Sequence, residues 1–575
     1  MTNFAPIKES YSAKVFSKRT IYKMRRIFYF FAICMCGFIS ANVLGATRSD
    51  KTDINKNLNI FTSIYKELQR SYVDTIDANK TMRTAIDAML YTIDPYTEYI
   101  PKEEQEEFLT ISTGEFGGIG AYISERAGKN VIIDQPQDDT PAYKIGLKAG
   151  DLIMCVDGDT VLGIGSDAVR NKLRGPAGST VKVTVKRPYV QDSILTFDIK
   201  REIIDVNPVP YYGTVADGVG YIALTTFNEK SYGKVRDAFV ELKEQKGIKS
   251  LILDLRSNGG GLMESAIQIV GIFVNKGTEV VTTRGKGEMN EQTYKTTVKP
   301  VDTEMPLVVL VDGGSASSSE IVTGALQDLD RAVIVGNRTY GKGLVQSTRQ
   351  IPYDGLLKIT ISKYYIPSGR LIQAIDYSHR NEDGSVQRTP DSLTHVFYTK
   401  NGREVRDGGG ITPDVTVTYP KTAKITENLV RDNWTYDYSV YFASKTDSVA
   451  SPGEFEITDS IYADFKQFVK YDKLKYDKVC ETMISRLEEA SKDEGYMTDE
   501  VKSHIDALKG LLHHDIERDF DINRKSISFY LESEIMTRMY GSKGAMQHSV
   551  KDDTAVNQAV EVLNDSERVA SILKK

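Results

Sequence analysis

Apolar residues recur at helical spacing in the chain that follows residue 50. One stripe covers residues 57–76 and a second covers 80–92, and each returns to the same face every three or four positions. This spacing predicts two amphipathic helices. The stretch 93–100 contains Pro95 and ends the second helix. We therefore expect a helical region at 48–110.

The pattern changes to a β-like one between residues 111 and 190. A glycine-rich stretch at 114–120 leads into short segments in which apolar and polar residues alternate, and one helical stretch at 166–173 interrupts them. The pattern predicts a small β-rich domain over 111–190. Its strand-like segments are 130–133, 151–156 and 180–185.

From residue 191 to 420 strands alternate with helices. Continuous apolar runs at 251–253 and 306–311 predict strands that are buried on both faces, and helical stretches such as 320–329 separate them. This alternation is typical of an α/β domain. Beyond it, charged residues recur at helical spacing, which predicts a helical C-terminal extension at 421–575.

Composition adds limits on the class of protein. The chain has 575 residues, of which 40% are hydrophobic and 26% are charged, so it is long enough for several globular domains. The net charge of -6 and the lack of a basic stripe with interleaved aromatics argue against nucleic-acid binding. Four cysteines are too few for a disulfide framework.

The N-terminus predicts export. Residues 27–46 form an apolar run without a charge, and lysines and arginines precede it. Such a run is either a signal peptide, whose cleavage Gly45 and Ala46 favour, or a single membrane anchor. A chain that began at Met24 would also have the form of a signal peptide, with arginines followed by an apolar run. Both Met1 and Met24 therefore stay open as the first residue of the protein. We expect residues 1–47 to direct the chain to the periplasm or cell envelope, free or anchored in the inner membrane.

A run of small hydroxyl residues follows one of the buried strands. In 311–321 the strand ends, two glycines form a turn, and Ser317 with the two serines after it opens a helix. Backbone N–H groups at a helix N-terminus favour developing negative charge, as an acyl-transfer nucleophile requires. A serine-rich helix cap is the alternative explanation of this pattern.

Two glycine-flanked segments complete the candidate chemistry. Lys342 lies between glycines, 25 residues after Ser317. A lysine acts as a general base only when neutral, so its site must lower its pKa from about 10.4 to roughly 7–8 by desolvation. A solvated loop lysine is the alternative. The three glycines at 259–261 follow a buried strand and either offer N–H groups to an oxyanion or only form a turn.

Together these segments resemble the carboxyl-terminal processing, or tail-specific, serine peptidases. The resemblance covers about residues 55–420, with the motifs in the order of that family. It implies an α/β protease core of the crotonase/ClpP-like type at 191–420, with the β-rich domain inserted before it. The shared motifs are Ile93–Glu98, Leu173–Gly178, Asp254–Gly261, Gly314–Glu320, Gly324–Asp328, Tyr340–Gln346 and Gly408–Asp414.

The resemblance also implies roles for single residues. Ser317 would be the nucleophile, Lys342 the general base and Gln346 the residue that positions Lys342. Asp328 matches an aspartate that is sometimes assigned to a relay in this family. Support of the end of its helix is the alternative role of Asp328, and we favour it.

The oxyanion would be stabilised by the N–H of Ser318 and by one N–H from Gly260 or Gly261. Ser318 stands where the family usually has alanine. Because Ser318 and Ser319 also carry hydroxyls, the choice of nucleophile stays open at this point, and the spacing to Lys342 favours Ser317.

The β-rich domain resembles a PDZ domain. The resemblance implies that the C-terminal tail of a protein substrate adds to it as a strand, with the terminal carboxylate held by loop N–H groups. Arg174 either couples this domain to the protease core or is a solvated surface residue. The residues that match the carboxylate-binding loop are Gly117, Gly118, Ile119 and Gly120.

The sequence therefore predicts a serine endopeptidase that acts on protein tails without a metal or a cofactor. The six histidines lie outside the motifs and lack the neighbours of a catalytic triad or a metal site. One alternative is a non-catalytic PDZ scaffold, but both Ser317 and Lys342 are present. Another is a crotonase-like acyl-CoA enzyme, against which the PDZ domain and Lys342 argue. The extension at 421–575 would brace the core, form a homodimer, bind an adaptor, or present a solvated charged surface, which is the default.

Overall fold

A computed structural model describes residues 53–574 except 192, 288–289, 378–379, 382–384, 475–477 and 513–514. The apolar run at 27–46 lies outside the described residues. Within the described ranges, no helix is both long enough and apolar enough to cross a membrane. The chain divides into two compact units, the first ending at Leu90 and the second beginning at Tyr91.

Helices and strands occur along the whole described chain. The α-helices are α1 (53–71), α2 (Ala78–Tyr91), α3 (Gln105–Thr113), α4 (Pro141–Lys144), α5 (Ser166–Leu173), α6 (Ser231–Gln245), α7 (Met263–Phe273), α8 (Ser318–Asp328), α9 (Lys424–Arg431), α10 (Trp434–Lys445), α11 (Asp459–Phe468), α12 (Val479–Asp493), α13 (Asp499–Leu511), α14 (Ile516–Ile522), α15 (Arg524–Ser549), α16 (Thr554–Asn564) and α17 (Ser566–Leu573). Short 3₁₀ turns cover Lys102–Glu104, Ala127–Lys129 and Asp391–Leu393.

The β-strands are β1 (Glu98–Ile100), β2 (Glu115–Gly118), β3 (Ala121–Arg126), β4 (Asn130–Pro136), β5 (Leu152–Val156), β6 (Asp159–Thr160), β7 (Thr180–Lys186), β8 (Ile194–Lys200), β9 (Glu202–Asp205), β10 (Tyr212–Ala216), β11 (Val219–Ala223), β12 (Ser250–Asp254), β13 (Glu279–Gly285), β14 (Glu291–Lys295), β15 (Leu307–Val311), β16 (Val333–Gly336), β17 (Leu344–Ile351), β18 (Gly355–Tyr365), β19 (Val396–Tyr398), β20 (Glu404–Arg406) and β21 (Val415–Thr416). The two helices predicted before residue 93 are present, although the first ends at residue 71 rather than 76. The predicted strands at 251–253 and 306–311 correspond to β12 and β15.

The central sheet of the second unit is mostly parallel. Its strands follow the order β10-β11-β12-β15-β16-β21, and only β10 runs antiparallel to its neighbour. Every residue of β12 and β15 is buried, as expected for parallel strands covered on both faces. The carboxyl ends of these two strands carry the segments at 255–261 and 312–317.

Helices cover both faces of the central sheet. Leu253 and Val309 pack with α6, α7 and α8, whereas Ile252 and Val308 pack with α16 and α17. The helices at the C-terminus are part of the core, because their buried apolar residues pack in the same cluster as the central sheet. Each buried valine or leucine stabilises the fold by roughly 1.5–3 kcal/mol. The default expectation of a solvated charged surface is therefore wrong for the last two helices of the extension.

A second sheet lies beside the core and follows the order β1-β18-β13-β14, with β17 paired to the long strand β18. Antiparallel pairing of β1 with β18 brings the turn at 93–97 to this sheet. Lys342 lies two residues before β17. Strand pairing thus brings segments that are far apart in the sequence to the same end of the core.

The β-rich domain is a sheet with the order β3-β4-β5-β7-β8, and β6 pairs with β5. Strands β2 and β9 pair with each other at the entrance and exit of this domain. Within the described chain, β3 pairs on one side only, so its other edge is open. Helix α5 contacts the same sheet.

The helical extension also contacts the β-rich domain. The hydroxyl of Tyr436 in α10 lies 3.1 Å from the carbonyl oxygen of Ile133 in β4. The guanidinium groups of Arg126 and Arg538 lie 4.3 Å and 4.6 Å from the centre of the Tyr436 ring. The extension thus contacts both the β-rich domain and the central sheet.

Candidate active site

Ser317 occupies the turn between β15 and α8. Its backbone has φ 55° and ψ -113°, a conformation that side-chain-bearing residues rarely adopt and that costs of order 1–3 kcal/mol. Ser317 is only half-buried, whereas Ser318 and Ser319 are buried. The hydroxyl of Ser318 donates to the carbonyl of Gly261 and that of Ser319 to the carbonyl of Asn258, each at 2.8 Å. The two neighbouring hydroxyls are therefore bound to the backbone.

Lys342 lies half-buried in the loop between β16 and β17. The pKa of its amine is lowered from 10.5 to about 8, chiefly by burial and also by the nearby charge of Lys358. The carboxylates of Asp94 and Glu320 act in the opposite direction and raise this pKa. The amine lies 4.2 Å from the centre of the Tyr96 ring. Among the described side chains, no hydrogen bond joins this amine to the hydroxyl of Ser317.

The carboxylate of Glu320 links the backbones of these two segments. It accepts the N–H of Ser317 at 2.9 Å and the N–H of Lys342 at 2.8 Å. It also accepts the N–H of Gly341 at 2.7 Å and the hydroxyl of Thr339 at 2.5 Å. Burial raises the pKa of Glu320 to about 7, although its four donors favour the ionised form. One buried side chain thus fixes the distance between the two turns.

Tyr364 of β18 provides a second link. Its buried hydroxyl lies 2.6 Å from the carbonyl oxygen of Lys342 and 3.1 Å from that of Ser317. Burial raises the pKa of Tyr364 well above its ordinary value, so the hydroxyl stays protonated and available as a donor. The N–H groups of both residues are therefore tied to one side chain and their carbonyl groups to another.

The glycine turn after β12 packs directly against Ser317. A Cβ atom on Gly260 would lie 2.8 Å from the Cβ of Ser317 and 2.9 Å from the nitrogen of Ser318. The N–H of Gly260 donates to the side-chain oxygen of Asn258 at 2.9 Å. The N–H groups of Gly261 and Ser318 have no acceptor among the described residues. Of the two glycines proposed for the oxyanion, Gly261 is the one whose N–H has no acceptor in the described part of the chain.

Asn258 holds this glycine turn in place. It is fully buried, donates to the carbonyl of Leu224 at 2.7 Å, and accepts the N–H of Ala316 on its own carbonyl at 3.0 Å. Asn258 lies in the shared motif Asp254–Gly261, but the motif alone indicated no role for it. Glu320 was missed as well, although a serine followed three positions later by a glutamate is the pattern of a capping box.

The structure does not join the other two proposed catalytic residues to Lys342. The amide of Gln346 donates to the hydroxyl of Thr360 at 3.1 Å, and a role in positioning Lys342 stays a prediction. Asp328 lies at the far end of α8, about three helical turns from Ser317. Its carboxylate pairs with Arg370 at 2.8 Å, with side chains 0% and 1% exposed, and accepts the N–H of Ser368. This geometry fits the alternative role of Asp328 at the helix end.

The β-rich domain carries a groove of about 270 Å³ beside the open edge of β3. Gly117 and Gly118 lie in β2 and pair with β9, while the N–H groups of Ile119 and Gly120 have no acceptor among the described residues. Arg174 lies at the groove, with its guanidinium 4.8 Å from the centre of the Phe116 ring. An open strand edge and free loop N–H groups are what an added peptide strand requires.

None of the histidines that the structure describes forms a hydrogen bond with Ser317. His395 contacts Asp407, and His548 contacts Glu532 and the carbonyl of Pro452. In the described ranges, no cluster of three histidine, cysteine, aspartate or glutamate side chains has a geometry suited to a metal ion.

Comparison with known protein families matches three parts of the chain. Residues 218–379 match the model described as "Peptidase family S41". Residues 132–187 match "PDZ domain", and residues 425–563 match "Probable PDZ-protease, C-terminal helical domain". The three matched segments correspond to the α/β core with Ser317 and Lys342, the β-rich domain and the helical extension.

Individual proteins show the same similarity. A carboxy-terminal-processing protease of Bartonella bacilliformis is 36% identical over 360 residues, which are 61% of this chain and 81% of that protein. A CtpA-like serine protease of Staphylococcus haemolyticus is 32% identical over 459 residues, which are 78% and 88% of the two chains. Among solved structures, the photosystem II D1 C-terminal processing protease is 28% identical, covers 62% of this chain and 92% of that one, and has a TM-score of 0.34.

Proposed function

The chain belongs to peptidase family S41, and from this premise we propose that its nucleophile is Ser317 and its general base Lys342. It is a serine-type peptidase with a PDZ domain and a C-terminal helical domain. The single observation that carries the proposal is the Glu320 carboxylate, which accepts the backbone N–H groups of both residues. Because one buried carboxylate holds both turns, the backbones of Ser317 and Lys342 keep a fixed separation, as two side chains that act on the same peptide bond require.

The mechanism begins with the neutral amine of Lys342. It takes the proton of the Ser317 hydroxyl while the oxygen attacks the scissile carbonyl. The N–H groups of Ser318 and Gly261 stabilise the negative charge on the carbonyl oxygen. The Lys342 ammonium then protonates the leaving amine, and water hydrolyses the acyl-enzyme through the same base. A pKa of about 8 supports this role, because an effective base has a pKa near the working pH.

We propose that the PDZ domain selects substrates by their C-terminal tails. The tail would pair with the open edge of β3, and its carboxylate would accept the N–H groups of Ile119 and Gly120. Apolar groove residues such as Ile123 and Leu173 favour an apolar tail. The relatives' description as carboxy-terminal-processing proteases supports this choice of substrate.

The remaining proposals concern place and assembly. The apolar run at 27–46 supports export to the periplasm or cell envelope, as a cleaved signal or as an anchor in the inner membrane. Envelope proteins would then be the substrates.

Homodimer formation or adaptor binding through the extension at 421–575 stays a proposal. The parallel sheet with helices on both faces supports a crotonase/ClpP-like core, and the domain limits at 47, 110, 190 and 420 follow the sequence pattern.

The test uses the purified chain and an unfolded protein that ends in an apolar tail. We expect Ser317→Ala and Lys342→Ala each to abolish cleavage while tail binding persists. Ser319→Ala is the matched control and should retain cleavage, because among the described residues the buried Ser319 hydroxyl hydrogen-bonds only with the backbone carbonyl of Asn258. Cleavage by either dyad variant would refute the dyad, and binding without cleavage by the unaltered protein would favour the scaffold alternative.

A further inference from the structure

The turn at 93–97 is built around one buried carboxylate. Asp94 is 4% exposed and accepts the N–H groups of Tyr96 and Thr97 at 2.8 and 2.7 Å. Its second oxygen accepts the Thr97 hydroxyl at 3.1 Å. Thr97 also accepts the N–H of Thr360 from β18 at 3.3 Å. This turn is therefore held both internally and against the sheet that follows Lys342.

The side chain of Tyr96 is fixed from the other direction. Its hydroxyl lies 3.3 Å from the hydroxyl of Tyr377, and the two rings meet edge to face with centroids 5.9 Å apart. Burial raises the pKa of the Tyr96 hydroxyl, so it stays protonated. The ring thus presents a fixed face, and the amine of Lys342 lies over that face at 4.2 Å.

We propose that Tyr96 is a positioning residue that holds the amine of Lys342 over its ring between turnovers, until the amine moves to the hydroxyl of Ser317. The inference rests on the proposed dyad and deepens it. Its basis is that the described amine contacts the Tyr96 ring and makes no hydrogen bond with Ser317. The flexible four-carbon stem of a lysine allows such a movement while its backbone stays bound to Glu320.

The ring acts on the base in two opposite directions. Its apolar body excludes water from one side of the amine, which disfavours the ammonium and lowers the pKa. Its π face attracts the ammonium and raises the pKa. The charged groups that act on the amine from the surrounding elements are Lys358 of β18, Glu98 of β1, Asp94 and Glu320. None of the substitutions below alters these four groups.

The experiment records kcat/KM against pH for three Tyr96 variants of the full chain. Tyr96→Phe keeps the ring and should leave the acid limb unchanged. Tyr96→Leu keeps an apolar wall but removes the π face, so the acid limb should move to lower pH by roughly half a unit to one unit. Tyr96→Ala admits water and should move the limb to higher pH. Tyr353→Leu, at a tyrosine that is 97% exposed, is the matched control.

The outcomes separate this inference from the proposed dyad. Opposite shifts for leucine and alanine, with phenylalanine unchanged, support Tyr96 as the positioning residue. Three unchanged profiles, alongside inactive Ser317→Ala and Lys342→Ala, would overturn the inference and leave the dyad intact. An upward shift for both leucine and alanine would overturn the contact with the ring face. Activity in Ser317→Ala or Lys342→Ala would remove the dyad itself.

Discussion

The turn that carries Ser317 and the groove beside β3 differ in how their polar groups are satisfied. In the turn, the Asp312 carboxylate accepts three backbone N–H groups. The Glu320 carboxylate accepts three other backbone N–H groups and the hydroxyl of Thr339. In the groove, a strand edge and the N–H groups of Ile119 and Gly120 are open among the described residues. The backbone around Ser317 is thus held by side chains of the protein, whereas the open groups of the groove are those to which we propose that a substrate tail binds.

This difference fits the roles that we propose for the two regions. Catalysis requires groups already in place when charge develops, because reorganisation during the reaction would raise the barrier. Strand addition requires unpaired backbone groups, which are tolerated only where water can reach them. We therefore expect substitutions in the turn to alter both stability and rate, and substitutions at the groove to alter tail recognition with a smaller effect on folding.

The largest expected effect comes from Glu320→Ala. It leaves the N–H groups of Ser317, Gly341 and Lys342 without their buried acceptor, so the free energy of unfolding should fall by roughly 3–5 kcal/mol. Cleavage by the folded fraction should fall by at least about 10³-fold, since the turns that carry the proposed nucleophile and base lose their common anchor. Denaturant unfolding and a cleavage assay at low temperature measure the two effects. Wild-type cleavage by this variant would contradict the role of Glu320.

Gly260→Ala should have the next largest effect. The backbone of Gly260 has φ +101°, and an added Cβ would press on the nitrogen of Ser318, so cleavage should fall by about 10²–10³-fold. Gly259→Ala is the control on the neighbouring residue, because a Cβ there meets nothing within 4 Å. Equal rates for the two variants would show that space beside Ser318 does not matter for catalysis.

Lys342→Met should abolish cleavage and stabilise the fold. The pKa of Lys342 is lowered to about 8, so between pH 8 and 10.5 the unfolded chain binds more protons, and wild-type stability rises with pH through this window. At pH 7 the variant should be more stable by roughly 1–2 kcal/mol, discounting partial exposure. The gain should vanish above about pH 10.5. Unfolding curves at pH 7 and 10.5 measure it, and a gain independent of pH would contradict burial as its cause.

The smallest expected effect comes from Arg174→Ala at the groove. Loss of the contact between its guanidinium and the Phe116 ring should lower the cleavage rate of a tail-bearing substrate about two- to fivefold. Arg236→Ala removes an arginine on the surface of α6 and serves as the control. An unchanged rate for Arg174→Ala would leave this residue as a surface arginine without a coupling role.

Much of the fold could be predicted from local patterns. The buried strands β12 and β15 are continuous apolar runs, and the turn that carries Ser317 follows β15, so the burial of these strands and the position of the turn are encoded locally. The serine-to-glutamate spacing of Ser317 and Glu320 is also local and could have identified the capping pair. The contact of α16 with the central sheet could not be predicted, because a helical apolar stripe does not specify which surface it covers.

Sequence by itself determined the chemical inventory: a serine at a strand-to-helix turn, a glycine-flanked lysine, a glycine turn after a buried strand, and a β-rich domain. Only the tertiary structure decided that Glu320 and Tyr364 join the first two, that the N–H of Gly260 is already engaged by Asn258, and that Tyr96 lies under the amine of Lys342. The physical reason is that side-chain periodicity and turn chemistry act over a few residues. Contacts between distant segments depend on how strands pair and on which buried polar groups still need a hydrogen-bond partner.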